Sequence, residues 1–570
     1  MRECKLDKIE SDCILYCKKL KYQTDWHKIG FLNDFYDELV KYVIEQVSLN
    51  SIIEYILDSI NSTQPPSEQV SLTDKEMMDA VYQYFKNEDG VFNSNIESFF
   101  NNHTIIFDHI YFPQHDSRDK FDYTKILYKL HKIRFNYCKF YTSHFNLNSI
   151  EVFFDECEFY DNYSISNSKI LKNESNIIYQ MCVFNNHVSV SYIDGKESMI
   201  SNTLFRDCQF KKSIVAHNIE FTNSIFNNSE HNKYTDIYKL EIYDCIIQND
   251  FILKAYTVHI LDISETTFNG KVKIQFCKFL SNAIFYNTKF NNLADFYRTK
   301  FSTVNFEKTD FNQIAVFSEA VFCKDLHFKY TKFMKKSIFR DMVIKGKLDL
   351  RNTIFDDEAN FLDITSSENT LSPTPINVEN RETARVIKNF YENSNNVIEA
   401  NKFYTLEMQE RENELNKDLK QGRNLFEWIT FKIHSISSNH SQDWVLAGFW
   451  IVCITLLYSH LQFTLKNEKT EYYVLPLIIN ALIVIFSFLA VNLSKHIANI
   501  YKLLIIVSLF AIYGFATGDF ELTVFSNNIN PFSIMTHKDT LNILTLVYKI
   551  TIAYLIYQFI ISIRQNTRRK

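Results

Sequence analysis

The chain has 570 residues, with 61 Lys and Arg against 67 Asp and Glu, a formal net charge of −6, and only nine glycines. No Gly-rich phosphate loop, His-Glu-x-x-His or Gly-x-Ser-x-Gly string occurs, so no catalytic signature is present and no cofactor is expected. Eleven cysteines, an odd number without Cys-x-x-Cys or Cys/His pairing, argue against a disulfide or metal framework and for a reducing compartment.

Residues 1–130 read as a separate helical piece. Leu32, Phe35, Leu39, Val43 and Val47 mark one amphipathic face. Asn61 to Glu68, with Pro65 and Pro66, reads as a hinge, and Thr73-Asp-Lys-Glu76 as a capping box opening a helix through Phe85. Ile110 to Leu130 is expected to lead into the next region, and the helices to cap it.

Residues 131–365 carry an apolar residue every five or six positions. From Ile263 the series runs Phe268, Ile274, Phe279, Phe285, Phe290, Phe296, Phe301, Phe306, Phe311, Phe317, Phe322, Phe328, Phe333, Phe339, Ile344, Leu350, Phe355 and Phe361. Two positions before each hit stands a mostly small or short residue, such as Ala283, Thr288, Ala294, Thr299, Thr309, Ala315 or Ser337. Neither a helix nor a pleated strand has this period; a chain turning a corner every five residues and stacking coil on coil does. The pattern starts with more decay at Phe135 and Phe140. Cys138, Cys157, Cys182, Cys208, Cys245 and Cys277 occupy the small inward position, where a thiol acts as a small hydrophobe. Polar stretches near 161–180, 185–200 and 228–240 read as loops. At about 20–22 residues per coil the rod would have about ten coils and a length of roughly 50 Å, and its ends need covering.

These residues resemble the pentapeptide-repeat proteins, whose motif places a small residue, Asp or Asn, Leu or Phe, and two further residues in each unit. Ala-Asp-Phe296 and Thr-Lys-Phe301 show the mixed spacing of the looser Phe-rich branch, with Lys300, Lys332 and Val316 replacing Asp or Asn. The resemblance implies a right-handed quadrilateral β-helix with central Phe side chains stacked inside.

Residues 379–436 read as a helical connector, after Ser-Pro-Thr-Pro at 372–375 breaks the solenoid. Arg381–Glu392 and Val397–Glu414 are expected helices. Arg385, Lys388, Glu399, Lys402, Glu407 and Arg411 are expected on exposed faces, and Phe390, Ile398, Phe403, Leu406 and Met408 on apolar ones. The string from Ile398 to Met408 and the ending from Tyr557 resemble the membrane-bound branch of the same family. Capping the last coil is the favoured role for the connector.

Residues 440–570 hold four apolar runs, Trp444–Phe463, Tyr472–Leu493, Ile500–Thr517 and about Leu541–Ile563, each long enough to cross a ~30 Å hydrocarbon layer. Lys495, Lys502 and the basic tail of Arg564, Arg568, Arg569 and Lys570 place the C-terminus in the cytoplasm, and four spans return the N-terminus there. Met1 to Lys21 is charged throughout, unlike a signal peptide. A bacterial cytoplasmic membrane protein with a cytosolic rod is the resulting expectation.

Chemistry-bearing residues are few. His187, His231 and His327 are isolated, and Asp356-Asp-Glu358 reads as a solvated corner. Asn480, Asn492, Lys549 and Gln558 are polar groups inside the spans, where a charge such as Lys549 is a functional hint. Three function classes follow. The first is a non-enzymatic interaction scaffold, with the lipid bilayer and an unidentified cytosolic protein as partners. The second is a channel-like or membrane-permeabilising protein, which would suit a homo-oligomer; the resemblance supports it because relatives carry pore domains. The third, a double-stranded DNA mimic, needs an acidic rod. Residues 263–361 instead hold sixteen Lys/Arg against eleven Asp/Glu, a net +5, so no specific nucleic acid partner is expected.

Overall fold

The computed structural model describes residues 29–62, 72–112, 122–143, 147, 151–165, 176–191, 199–227, 229, 236–367, 376–466, 470–493, 499–533 and 542–567. Of the expected hinge Asn61–Glu68, Asn61 ends a helix and residues 63–68 lie outside the described residues, as do the Ser-Pro-Thr-Pro break, His231, Lys495 and the last three basic residues. Two compact units divide the chain, 1–377 and 378–570.

In the first unit, helices α1 (Ile29–Val47), α2 (Leu49–Asn61), α3 (Asp74–Phe85) and α4 (Asn93–Asn102) precede the solenoid. The Thr73 hydroxyl accepts from Glu76 N while the Glu76 carboxylate accepts from Thr73 N, a complete capping box. α1 buries Phe35, Leu39 and Val43, and its rings cover the first coil. Tyr42 stacks on Phe107 at 5.9 Å and Phe35 meets Phe112 edge-on at 6.1 Å. Tyr42 Oη also donates to Ile106 O, so the end of the stack is closed by both apolar and polar contacts.

The first coil opens earlier than the sequence reading placed it. Strands Thr104–Asp108 and Tyr111–Phe112 pair in parallel with 132–136 and 139–140. Ile110–Phe112 is therefore coil rather than lead-in, and strands begin inside the stretch expected to be wholly helical. Beyond it the β-solenoid makes about nine turns over residues 132–360. Among the described residues, successive coils pair in parallel in sheets of five, sixteen, eight and six strands. The intervals expected as loops are narrower than supposed, because Tyr163–Ile165, Ile177–Gln180, Val188–Val190, Met199–Ile200 and Asp236–Tyr243 are strands of the rod.

Four columns of rings fill the coils from Phe279 to Phe361. Phe285, Phe306 and Phe328 stack at 4.8 and 5.1 Å; Phe290, Phe311, Phe333 and Phe355 at 4.9, 4.9 and 5.0 Å. Phe296, Phe317, Phe339 and Phe361 form the third column at 5.0, 5.4 and 4.8 Å, and Phe279, Phe301 and Phe322 the fourth at 5.0 and 5.3 Å. Within a column the rings are offset-stacked; between columns most meet edge-on, as Phe306 meets Phe317 at 5.5 Å, and both arrangements suit the ring quadrupole. All of these rings are buried except Phe355, which is half-buried in the last coil.

Corner geometry accounts for the mixed spacing. Asn287, Arg298, Lys308, Glu319, Tyr330 and Asp341 all have positive φ, each two residues after a core ring (Phe285, Phe296, Phe306, Phe317, Phe328 and Phe339). At these left-handed corners the next core residue arrives after five positions; the intervening corners are wider and mostly take six.

The small inward position is also polar chemistry. Thr309 Oγ1 donates to Phe285 O at 2.6 Å and Thr331 Oγ1 to Phe306 O at 2.6 Å, each one coil back. In earlier coils cysteine replaces threonine: Cys157 Sγ lies 3.4 Å from Phe135 O, Cys182 Sγ 3.5 Å from Phe154 O and Cys277 Sγ 3.4 Å from Leu253 O. All six cysteines named above are free and buried. Burial pushes the Cys277 thiol up to about 12, so it stays protonated and donates.

In the second unit, α6 (Arg381–Asn393) and α7 (Val397–Lys420) form a hairpin, followed by α8 (Leu425–Ser438), which the sequence reading missed. (α5 is the short Thr124–Tyr128 turn of the first unit.) Then come α9 (Trp444–Lys466), α10 (Thr470–Leu493), α11 (Asn499–Thr517), the short α12 (Thr523–Ile529) and α13 (Ile543–Thr567). α9, α10, α11 and α13 are each long and apolar enough to cross a membrane. α9 is central, packing against α10, α11 and α13. Two connector assignments need correcting. Glu407 is buried rather than exposed, and Ile398 is exposed rather than packed.

Candidate functional site

The rod's outer surface is ordered by the same register as its core. On one face Gln248, Asn269, Asn291 and Asn312 form an amide ladder. Asn269 Nδ2 donates to Gln248 Oε1 at 2.7 Å, and the next two rungs repeat at 2.6 Å. At the corners, Phe276 packs against Tyr297 at 5.5 Å, and Glu319 accepts from Arg298 Nε at 2.6 Å and Tyr297 Oη at 3.0 Å. These hydrogen bonds hold the Glu319 carboxyl below its usual range. One outer-face charge is fully covered: Asp349, in register with His327, is buried and accepts from Arg351 Nη2 at 2.7 Å, with Lys329 Nζ at 3.3 Å and His327 Nδ1 at 3.8 Å. His187 Nδ1 lies 2.5 Å from Ser213 Oγ. Asp356, Asp357 and Glu358 are exposed, Glu358 pairing with Lys336 at 3.2 Å. Among the described residues, no three His, Cys, Asp or Glu side chains gather closely enough to hold a metal ion.

Of the polar residues singled out within the spans, Lys549 (through Asn528) and Asn480 reach the consecutive α9 residues Ser459 and His460, whereas Gln558 bonds Ser438 and Ser441 before the start of α9. Lys549, in the second turn of α13, donates to Asn528 O at 2.9 Å and Asn530 O at 2.8 Å, the carbonyl end of α12. A cation there opposes the negative end of the helix dipole. Asn528 Nδ2 in turn donates to Ser459 Oγ at 3.0 Å and Gln462 Oε1 at 2.9 Å, so α12 is pinned between α9 and α13. The ammonium neither snorkels nor stands open; it clamps a loop helix. Asn480 on α10 donates to His460 Nδ1 on α9 at 2.8 Å, both fully buried. The His460 Nε2 and Asn480 Oδ1 atoms have no partner among the described residues. Asn492 lies in the last turns of α10, its side chain outside the described residues.

Gln558 belongs to a cluster that sequence spacing could not show. Its Oε1 accepts from Ser438 Oγ at 3.0 Å and Ser441 Oγ at 2.9 Å, about 120 residues away in the chain. Ser441 Oγ is also 3.2 Å from His434 Nε2, and His434 Nδ1 is 3.3 Å from His440 Nδ1. The turn joining α8 to α9 carries Asn439, His440 and Ser441 in succession at φ 48°, 55° and 64°. Three consecutive non-glycine residues in the left-handed region store strain, and the cluster holds them there. Burial and the neighbouring His440 push the His434 imidazole below its ordinary value. Just after the turn, Asp443 caps α9 at Leu446 N (2.8 Å) and pairs with Lys502 Nζ of α11 at 3.0 Å.

The connector hairpin is locked by Glu407. Lys388 Nζ donates to it at 2.8 Å and Arg385 Nε at 2.9 Å. Burial alone would raise this carboxyl, but those two hydrogen bonds hold it below the usual range. Lys549, Asn480 and Gln558 each bond a group on a neighbouring helix or turn.

Residues 285–332 match the family described as Pentapeptide repeats (9 copies). No curated protein and no solved structure matches the chain. The repeat match, the solenoid and the four apolar helices together fit a repeat protein with a membrane-anchoring domain.

Proposed function

We propose that the chain, a pentapeptide-repeat protein carrying four helices able to cross a membrane, is a non-enzymatic scaffold. Its rod displays a binding surface to a cytosolic protein partner, and its helices hold that rod at a bacterial cytoplasmic membrane. The observation carrying this reading is the register of the rod surface. Side chains such as the Gln248–Asn269–Asn291–Asn312 ladder recur at one-coil intervals over a rigid stack, and rigid repetition lowers the ordering cost of binding an extended partner. The basic tail and four spans favour cytoplasmic termini, in keeping with six free thiols buried in the rod.

A channel role would use polar groups facing a shared path. Lys549, the strongest residue for it, is engaged by two backbone carbonyls, so Lys549→Leu should loosen α12 and leave membrane conductance unchanged. The deciding experiment is affinity capture of the full chain from solubilised membranes with native mass measurement. A stoichiometric cytosolic protein supports the scaffold; a ring of identical subunits without one overturns it in favour of the pore.

A further inference from the structure

α8 is inside out for a helix bathed in water. Its polar face is turned inward: Ser437 and Ser438 are buried, meeting Tyr554 and Gln558. Its apolar face points outward, with Phe426, Ile429 and Ile433 at 85, 39 and 50% exposure. A contiguous apolar face of this kind marks a contact with something apolar. Beneath α8 lies a groove of about 520 Å³, whose walls include Trp428, Ile433, Trp450, Ile454, Phe488 and Leu555.

The occupant follows from where the groove leads. Trp450 and Ile454 stand six and ten residues into α9, about 9 and 15 Å from its start at a rise of 1.5 Å per residue. The inner end of the groove is therefore at hydrocarbon depth when α9 spans. Its side opens at Ile485 and Phe488, themselves exposed on the outer face of α10. The groove thus continues the lipid-facing surface of the spans. The polar groups on its rim are already engaged: Lys432 pairs with Glu412 at 3.0 Å, and Ser437 Oγ is 3.3 Å from Tyr554 Oη. Trp450 Nε1 donates to Ile436 O at 3.0 Å, fixing α8 against the first span.

We propose that α8 lies in the plane of the membrane surface and that this groove holds one acyl chain of a membrane phospholipid. The inference rests on the membrane-anchor reading of the spans. Among the described residues the rim's one cation, Lys432, is already paired with Glu412, so recognition is of the chain and not of the headgroup.

The test is fluorescence quenching of the full-length protein in detergent micelles, titrated with dibromoacyl phosphatidylcholine or dibromoacyl phosphatidylglycerol. One variant keeps only Trp450, a second only Trp444, which sits outside the groove at the start of α9. Quenching of Trp450 should saturate near about one lipid per chain and equally for both lipids; quenching of Trp444 should rise without saturation. Ile454→Phe, or Val484→Phe if the first does not fold, fills the groove and should abolish the saturable phase alone. Non-saturable quenching of Trp450, saturation with one headgroup only, or Trp450 shielded within a dimer overturns the proposal. If lipid quenches neither tryptophan, the membrane-anchor reading itself has failed.

Discussion

Phe306→Ala and Phe306→Asp probe the column on which the solenoid stands. Phe306 is fully buried, stacked between Phe285 at 4.8 Å and Phe328 at 5.1 Å, with Phe296 and Phe317 edge-on at 5.6 and 5.5 Å. Truncation to Ala loses the transfer free energy of the ring and leaves a cavity that stacked coils cannot close, about 3–5 kcal/mol. Phe306→Asp adds an unpaired buried carboxylate and costs several kcal/mol more, comparable to the whole ~5–15 kcal/mol stability of a domain. Because each coil touches only its neighbours, the damage should stay local. Hydrogen exchange resolved by peptide should show lost protection across 285–328, while 104–140, closed by α1, remains protected. Lys308→Glu is the control: the side chain points outward to Tyr286 Oη at 2.8 Å and should cost no more than about 0.5 kcal/mol. A cost below about 1 kcal/mol for Phe306→Ala, or equal damage from Lys308→Glu, would falsify the ring-column account.

Lys329→Glu should not be neutral, although Lys329, like Lys308, lies outside the inward positions of the repeat. It sets a second carboxylate beside buried Asp349, and a loss of roughly 1–3 kcal/mol is expected in urea unfolding; an unchanged midpoint would refute the buried, cation-covered Asp349. Thr309→Val should cost about 1 kcal/mol by removing the donor to Phe285 O, whereas Thr309→Cys should be near neutral. Glu407→Gln should loosen the α6–α7 hairpin. Since Glu407 titrates below its usual range, its contribution is full above about pH 4.3 and is lost as pH falls through the lower folded value; exchange rates in 381–420 against pH report this. His434 titrates low as well, so its neutral form supports the α8–α9 turn above about pH 6.5, and stability is lost as acid protonates it. Opening of 434–443 on acidification should disappear in His434→Gln, and persistence there would assign the effect elsewhere.

The solenoid was legible because its period is a local property: each ring announces its successor five or six residues on. The first coil was missed although Phe107 and Phe112 keep the same five-residue step, because the helical turn at Thr124–Tyr128 separates them from Phe135. Strands at 163–165 and 188–190 were read as loop because Tyr163 and Val188 stand where the motif expects its Phe rhythm and intervening insertions break the count. The capping box needed only four residues and could be read directly. The His434–Gln558 cluster could not, since its members meet through packing across about 120 residues. Lys549 was visible as an unusual charge, but its task depends on α12 folding back against α9. Glu407 was misassigned because helical periodicity does not reveal which charged face a partner helix will cover.

The central claim is a cytosolic rod held by four membrane spans, and paired topology reporters test it most directly. Reporters fused before Met1 and after Lys570 of the full chain should both be active only as cytosolic reporters. Activity of either fusion on the far side of the membrane would contradict the account, removing the orientation, the reducing environment of the buried thiols and the cytosolic partner together.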